Sequence, residues 1–297
     1  MMDKQRIVCF GEVLWDCLPS GLFLGGAPLN VAYHLRQLGE EPWMVSAVGE
    51  DFLGEETLAR IAAIGVDTRL IKSLPDVATG AVRVRLSGKG DASYDFLDPS
   101  AWDYLTIDPQ LAGTADAFVY GSLAMRKDAN RQQLESALAS CKGLKICDVN
   151  LRPGFDDPDY ALRLLELADL AKLNEDELAT FVGGTVSAND PKPAMQCLAE
   201  KTGTSRICLT MGAQGAAYYD DGQFFQVPAK VVEVRDTIGA GDAFMARFIH
   251  GVLRGEAVQQ TLQSAANLGA FIASKEGAQP EYDPQTYRSL AVSQVLQ

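Results

Sequence analysis

Histidine is nearly absent from the chain: His34 and His250 are the only two in 297 residues. Two isolated histidines cannot build a His-rich metal site, and they argue against a His-based catalytic triad. The six cysteines, Cys9, Cys17, Cys141, Cys147, Cys197 and Cys208, form no C-x-x-C pair. Cys9, Cys147 and Cys208 lie in strand-like apolar stretches, where a thiol behaves as a small hydrophobe. Reduced core thiols are therefore expected, with no disulfides and no zinc site. G-x-S-x-G, G-x-x-x-x-G-K-[ST] and G-x-G-x-x-G are missing too, which disfavours common hydrolases, Walker ATPases and standard dinucleotide binders. No apolar run approaches the ~18–20 residues of a membrane span. Residues 7–10, just after the start, are too short for a signal-peptide core. Positive charge is also scarce: 26 Lys and Arg face 39 Asp and Glu, a net charge of −13. Such a surface repels phosphate backbones and anionic lipid, so neither nucleic acid nor membrane is expected as a partner. The expectation is a cytoplasmic protein, in which an anionic substrate would need a local basic pocket.

Composition is otherwise globular, at 47% apolar and 22% charged. Strand and helix patterns alternate along most of the chain. Strands are expected at 7–11, 42–48, 117–120, 144–148, 169–173 and 206–210, and helices at 28–38, 55–64, 131–140, 160–168, 175–182 and 194–202. This βαβα order implies a mostly parallel sheet with helices on both faces. Two segments break it. Residues 81–87 alternate strictly, with Val82, Val84 and Leu86 opposite Arg83, Arg85 and Ser87. A turn at 88–91 and a returning strand at 92–97 complete a hairpin that should leave the main sheet. A strand at 18–24 is expected to join it as a small β lid. A second hairpin, 216–219 with 223–227, reads as an edge of the main sheet, followed by helices 243–253 and 258–274. No linker or repeat divides the chain, so residues 1–297 are read as one domain with lid segments at about 13–27 and 80–104.

Chemistry concentrates in Asp236-Thr237-Ile238-Gly239-Ala240-Gly241-Asp242. Small residues admit a ligand close to the backbone. A helix starting near Gly241 would aim free amides and a partial positive charge at that ligand, making an anion hole. Spacing alone leaves two roles for Asp242. It could take the proton of an attacking hydroxyl while the amides of Gly239, Ala240 and Gly241 hold a transferred phosphoryl group. Alternatively it merely complements a helix N-terminus, with the glycines serving a tight turn.

That segment resembles the D-T-x-G-A-G-D motif of the ribokinase (PfkB) family of sugar kinases. Four further landmarks resemble the family in order: Gly25-Gly26-Ala27-Pro28-Leu29-Asn30-Val31-Ala32, Val48–Gly54, Asn174-Glu175-Asp176-Glu177 and Thr210–Gly215. The resemblance runs from Phe10 to about Pro280. It implies a ribokinase-like α/β body with a β lid, and transfer of the γ-phosphate of ATP to a sugar hydroxyl with Mg2+ on the phosphates. Asp242 would be the base, and Gly239, Ala240 and Gly241 the anion hole. Asp16, Gly26 and Asn30 would meet the sugar. Asn174 and Glu177 would organise Mg2+ and phosphates through water, while Thr210, Gly212, Gly215 and Asn267 would line the nucleotide. Each of these has a plainer reading as well: a turn cap for Asp16, a helix entrance for Gly26 and Asn30, dipole complementation for Asn174 and Glu177. For Thr210, Gly212 and Gly215 it is a strand-to-turn junction, and for Asn267 a surface position.

The Gly-Gly-Ala-Pro-Leu-Asn form is similar to fructokinases, which points to fructose and fructose 6-phosphate. Asp148-Val149-Asn150-Leu151-Arg152-Pro153 resembles a segment shared by fructokinases and 2-keto-3-deoxygluconate kinases. Arg152 could there serve an acid sugar's carboxylate, so that kinase and a ribokinase type remain alternatives. A non-enzymatic sugar-binding regulator on this fold would be expected to lose Asp242 or its glycines. The resemblance also allows K+, although Glu281 stands where ribokinases often carry a small residue, and allows a homodimer through the lid.

Overall fold

The buried apolar runs and the alternating segments fold as expected into two separate sheets. The structure, a computed structural model, describes residues 4–18, 20–86, 92–152 and 157–283. Its strands are β1 (Arg6–Phe10), β2 (Leu14–Leu18), β3 (Gly21–Gly25), β4 (Glu41–Gly49), β5 (Ile71–Leu74), β6 (Ala81–Leu86), β7 (Ala92–Phe96), β8 (Ala117–Gly121), β9 (Leu144–Asp148), β10 (Leu170–Asn174), β11 (Arg206–Thr210), β12 (Ala216–Asp220) and β13 (Gln223–Val227). The helices are α1 (Ala27–Gln37), α2 (Phe52–Ala63), α3 (Pro109–Ala112), α4 (Asp128–Ser140), α5 (Pro158–Glu166), α6 (Glu175–Val182), α7 (Lys192–Thr202), α8 (Ala240–Leu253) and α9 (Val258–Ala273).

Among the described residues the main sheet has the order β13-β12-β11-β10-β9-β8-β1-β4-β5. Pairing is parallel from β11 to β5, and the β12–β13 hairpin adds an antiparallel edge. From β1 the chain winds outward through β4 and β5, then returns to β8 and winds the other way. The order therefore reverses between β1 and β8, and the carboxyl ends of strands at such a reversal leave a crevice for a ligand. Strand β1 shows why both faces are covered. Val8 and Phe10 pack into the core shared with α4 to α7, whereas Ile7 and Cys9 pack into the one shared with α1, α8 and α9. Burying one such side chain contributes ~1.5–3 kcal/mol.

The second sheet has the order β3-β2-β6-β7. The expected hairpin is its β6–β7 pair; the turn at 88–91 falls outside the described residues. The single strand expected at 18–24 is corrected to two. β2 and β3 pair antiparallel, with Trp15 opposite Leu24 and Leu18 opposite Gly21. The reason is visible at Ser20 and Gly21: turn-favouring residues follow the end of β2, and Gly21, with φ of 147°, opens β3. Asp16 consequently sits within a strand and not in a turn. Two contacts moor this sheet to the body. Trp15 donates through Nε1 to Thr57 Oγ1 on α2 at 2.8 Å. Asp51, the N-cap of α2, accepts from Gly54 N and from both the amide and hydroxyl of Thr79, two residues ahead of β6. The Val48–Gly54 landmark thus moors the chain that enters the small sheet at β6. Helix α2 begins at Phe52 rather than at the expected residue 55 because this cap organises its first turn.

Candidate active site

The sequence-marked residues converge at the carboxyl ends of β1, β8, β9 and β10, beside the reversal in strand order. Helix α8 starts at Ala240, and Gly239 precedes it with φ of 77°, a left-handed value that favours glycine. A side chain there would also strike Ala278. The amide of Ala243 closes the first turn onto Gly239 O at 2.9 Å. The amides of Gly241 and Asp242 precede it, so they have no acceptor within the helix. The amide of Ala240 differs from expectation: it donates to Thr237 O at 3.3 Å, closing the turn instead of facing an anion unshared.

Asp242 is 8% exposed, and its Oδ2 accepts from Asn30 Nδ2 at 2.8 Å. Asn30 comes from α1, whose entry at Gly26 has φ of 117° and passes so close to the Glu12 carbonyl that a Cβ would collide with it. The small residues of the Gly25-Gly26-Ala27 landmark therefore let α1 dock against the end of β1 and deliver Asn30 to Asp242. Burial, and repulsion from Asp148, push the Asp242 carboxyl up to about 6, against the attraction of Lys172, Asn30 and Arg152. A carboxylate poised there can accept a proton near neutral pH.

Three groups that the sequence reading passed over complete the site. Lys172, 6% exposed in the middle of β10, donates from Nζ to Asp148 Oδ1 at 2.9 Å and Oδ2 at 3.2 Å. A Cβ on Gly241 would lie 3.1 Å from the same ammonium, so a buried cation stands under the anion hole. Coulombic attraction to Asp148, Glu177 and Asp242 outweighs desolvation and keeps Lys172 charged. Glu12 follows β1, is buried, and accepts from Ala27 N at 3.2 Å; burial pushes it up to about 7. Gln279 donates to Asn30 Oδ1 at 2.9 Å. A signal for the first was present: Lys172 is a lone charge inside a buried strand, which requires a partner.

Glu12, Ser122, Asp148, Asn150 and Arg152 line a pocket between β1, β8 and β9. Asp16, on β2 of the small sheet, lies within electrostatic reach of Arg152. Its Oδ2 lies next to Gly25, and burial raises its carboxyl to about 6 against the pull of Arg152. The guanidinium of Arg152 also donates to Leu151 O at 3.3 Å. The pocket therefore sets carboxylates, an amide, a hydroxyl and one guanidinium against an apolar wall of Ala27, Pro28, Val31, Val119 and Leu123, a pattern usual for small-molecule sites.

Asn174 and Glu177 form a reciprocal cap on α6. Glu177 N donates to Asn174 Oδ1 at 2.9 Å, and Asn174 N to Glu177 Oε2 at 2.8 Å. The other oxygen, Oε1, accepts from Leu151 N at 2.9 Å, which ties α6 to the Arg152 segment. A carboxylate offers about four lone-pair sites, so Glu177 can still meet two waters. No cluster of three or more His, Cys, Asp or Glu is set to hold a metal among the described residues. The donors thus fit a Mg2+ carried by phosphates and water, which is how that ion is commonly held, and do not fit a protein cage. Thr210 lies opposite Asn174 in the β10–β11 register and donates to Leu173 O at 3.3 Å. Gly212 and Gly215 bracket the short turn after it. Asn267 is buried in α9 and accepts from Gln263 at 3.1 Å, so it is not a surface residue. Two residues on, a Cβ at Gly269 would lie 3.0 Å from Ala240 O, which places this stretch of α9 against the start of α8.

The similarities to known proteins agree with this geometry. Fructokinase-2 of Zea mays is 28% identical over 308 residues, covering 93% of this chain and 91% of the relative. Fructokinase of Escherichia coli is 29% identical over 264 residues, covering 84% and 85%. The crystal structure of a fructokinase with bound ATP from Xylella fastidiosa superimposes with a TM-score of 0.84 at 25% identity, over 99% of this chain and 100% of that one. The ribokinase-like architecture expected above is thereby shown. No helix among the described residues is long and apolar enough to cross a membrane. The model of the pfkB family carbohydrate kinases matches residues 5–285, and a buried carboxylate at the mouth of a glycine-lined helix N-terminus is the chemistry such a kinase needs: the chain belongs to the pfkB family of carbohydrate kinases.

Proposed function

We propose that this carbohydrate kinase transfers the γ-phosphate of ATP to fructose, giving fructose 6-phosphate. The observation that carries the reading is Asp242, buried at the start of α8, oriented by Asn30 and within electrostatic reach of Asp148 and Arg152, which line the pocket at the strand reversal. Asp242 takes the hydroxyl proton as the oxygen attacks. The amides of Gly241 and Asp242, with Gly239 shaping the turn and Lys172 behind it, stabilise charge on the transferred group. Asp16, Gly26 and Asn30 bind the sugar, and Arg152 borders it. Thr210, Gly212, Gly215 and Asn267 flank the nucleotide. Mg2+, held by Glu177 through water, would neutralise charge on the β- and γ-phosphates.

Fructose is supported by the relatives named fructokinase and by Asp16 and Asn30, whose carboxylate and amide can recognise hydroxyls without a cation. One observation favours a second reading, 2-keto-3-deoxygluconate: Arg152 lines the same pocket and could meet a carboxylate. ATP consumption with fructose, ribose, tagatose, adenosine and 2-keto-3-deoxygluconate separates them. A tenfold preference in kcat/KM for the acid sugar over fructose overturns the first reading. The β2-β3-β6-β7 sheet is proposed to close over the sugar and exclude water. Leu22 and Phe23, exposed on its edge strand β3, support pairing of two copies through it, which sedimentation would detect. K+ is tested by exchange for Na+, since Asp236 already accepts from the amides of Ile238 and Gly277. A cytoplasmic setting is supported by the six free thiols.

A further inference from the structure

The C-terminal segment that follows α9 is bound to the two elements that meet at Asp242. Ala278 O accepts from His34 Nε2 at 3.0 Å, and Tyr33 donates to Pro280 O at 2.7 Å. A carbonyl can only accept, so His34 carries its proton on Nε2, and Nδ1 accepts from the Tyr282 hydroxyl at 2.9 Å. Gly277 N donates to Asp236 Oδ2 at 3.1 Å, at the head of the turn that leads into α8. Hydrogen bonds on both sides thus fix the residue between them, Gln279, whose amide faces α1.

We infer that Gln279 is a positioning residue that acts on Asp242 through the side chain of Asn30. The inference rests on the reading of Asp242 as the base. Its physical content is the polarity of a short hydrogen-bond chain. Gln279 Nε2 donates to Asn30 Oδ1 at 2.9 Å, and Asn30 Nδ2 donates to Asp242 Oδ2 at 2.8 Å. An ionised carboxylate is acceptor-only. Asn30 must then turn its NH2 to Asp242, its oxygen is left facing residue 279, and that residue must donate. Reversing the chain would put Asn30 Oδ1 against Asp242, which is tolerable only when Asp242 is protonated. A donor at 279 therefore selects the ionised, proton-accepting state of the base, and an obligate acceptor selects the inactive one. Other groups facing Asp242 are Glu12 after β1, Asp148 at the end of β9, Arg152 beyond it and Lys172 on β10. Among the described residues, the Asn30 amide is hydrogen-bonded to Asp242 and Gln279.

The test compares three replacements that differ in hydrogen-bond sense. Gln279→Lys is donor-only, Gln279→Met has similar bulk without a polar hydrogen, and Gln279→Glu is acceptor-only when ionised. Turnover of ATP with fructose, or with whichever of the five compounds above is phosphorylated, is followed from pH 5 to 9, with Tm as the check on folding. The expected order of kcat at pH 7 is wild type and Lys within about threefold of each other, Met about three- to tenfold lower, and Glu at least about tenfold lower. In the Glu variant the acid limb of kcat/KM should also move up by about one pH unit. A packing role would rank Lys and Met together, and that result overturns the inference. So does equal activity in all three, or an unshifted acid limb in a folded Glu variant. If Gln279→Glu does not fold, the Lys and Met pair still decides. Asp242→Asn is measured alongside. Its retention of turnover would remove the base itself, whereas an inactive Asp242→Asn with indifferent Gln279 variants removes only the present inference.

Discussion

Replacing Asp242 by Asn separates catalysis from stability in opposite directions. The variant keeps the shape of the carboxylate and can keep the Asn30 contact through its own oxygen, because Asn30 donates with Nδ2 at 2.8 Å. It cannot accept a proton. Loss of a positioned base costs about 10²–10⁴ in kcat, or roughly 3–5 kcal/mol of barrier. Stability should move the other way. Asp242 is pushed from 3.8 up to about 6 by burial and by Asp148, so the folded state holds its proton more tightly than the unfolded state does. The ionised carboxylate therefore penalises folding increasingly from pH 3.8 upward, and fully above about 6. A shift of this size is on the order of 1–3 kcal/mol. A neutral amide escapes that penalty, and Asp242→Asn should melt a few degrees above wild type at pH 7.5, the difference vanishing near pH 4. The assay is coupled ATP turnover beside thermal melts at both pH values. Near-normal turnover in a folded variant would return Asp242 to the role of a helix-terminus carboxylate. A Tm that falls at pH 7.5 would refute the electrostatic reasoning.

Lys172→Met leaves Asp148 and Asp242 buried without their cation, and urea unfolding should show a loss of about 3–5 kcal/mol, part of it recovered in Lys172→Met/Asp148→Asn. Glu177→Gln puts an NH2 against one of the amides of Leu151 and Asn174, which should cost about 1–3 kcal/mol and, if Glu177 steadies hydrated Mg2+, raise the Mg2+ concentration needed for half-maximal rate; an unchanged Mg2+ dependence would confine Glu177 to capping. Between about pH 4.5 and 7 stability should decline as pH rises, because burial raises Glu12 to about 7 and Asp16 to about 6, and both bind protons more tightly when folded; Glu12→Gln should flatten that slope in pH-dependent denaturation. With fructose, Asp16→Ala should remove most activity, since each unpaired buried hydroxyl partner costs ~1–3 kcal/mol, whereas Arg152→Ala should cost less; a steep rise in KM confined to Arg152→Ala and the acid sugar would favour the second substrate.

The local pattern of the chain sufficed for the body of the fold. Apolar runs such as residues 7–10 and 117–120, separated by helical spacing, can be satisfied only by a sheet buried on both faces. The glycines at 239 and 241 likewise announced a close backbone approach, and the period-two segment at 81–86 announced a separate sheet. Local pattern failed at 18–24, where β2 ends at Leu18 and β3 begins at Gly21, because hydrophobicity does not distinguish one strand from the ends of two. It also could not say which distant residues would meet. Asn30 and Asp242 are 212 positions apart, and Gln279 lies 249 from Asn30. Lys172 and Asp148 come from neighbouring strands whose pairing is fixed only by the order of the sheet. Residue type and spacing thus determined the elements and the chemistry each could carry. Tertiary structure decided which carboxylate is buried beside a lysine, which amide holds it and which backbone N–H groups are already spent, because desolvation and hydrogen-bond partners arise only when remote segments exclude water together.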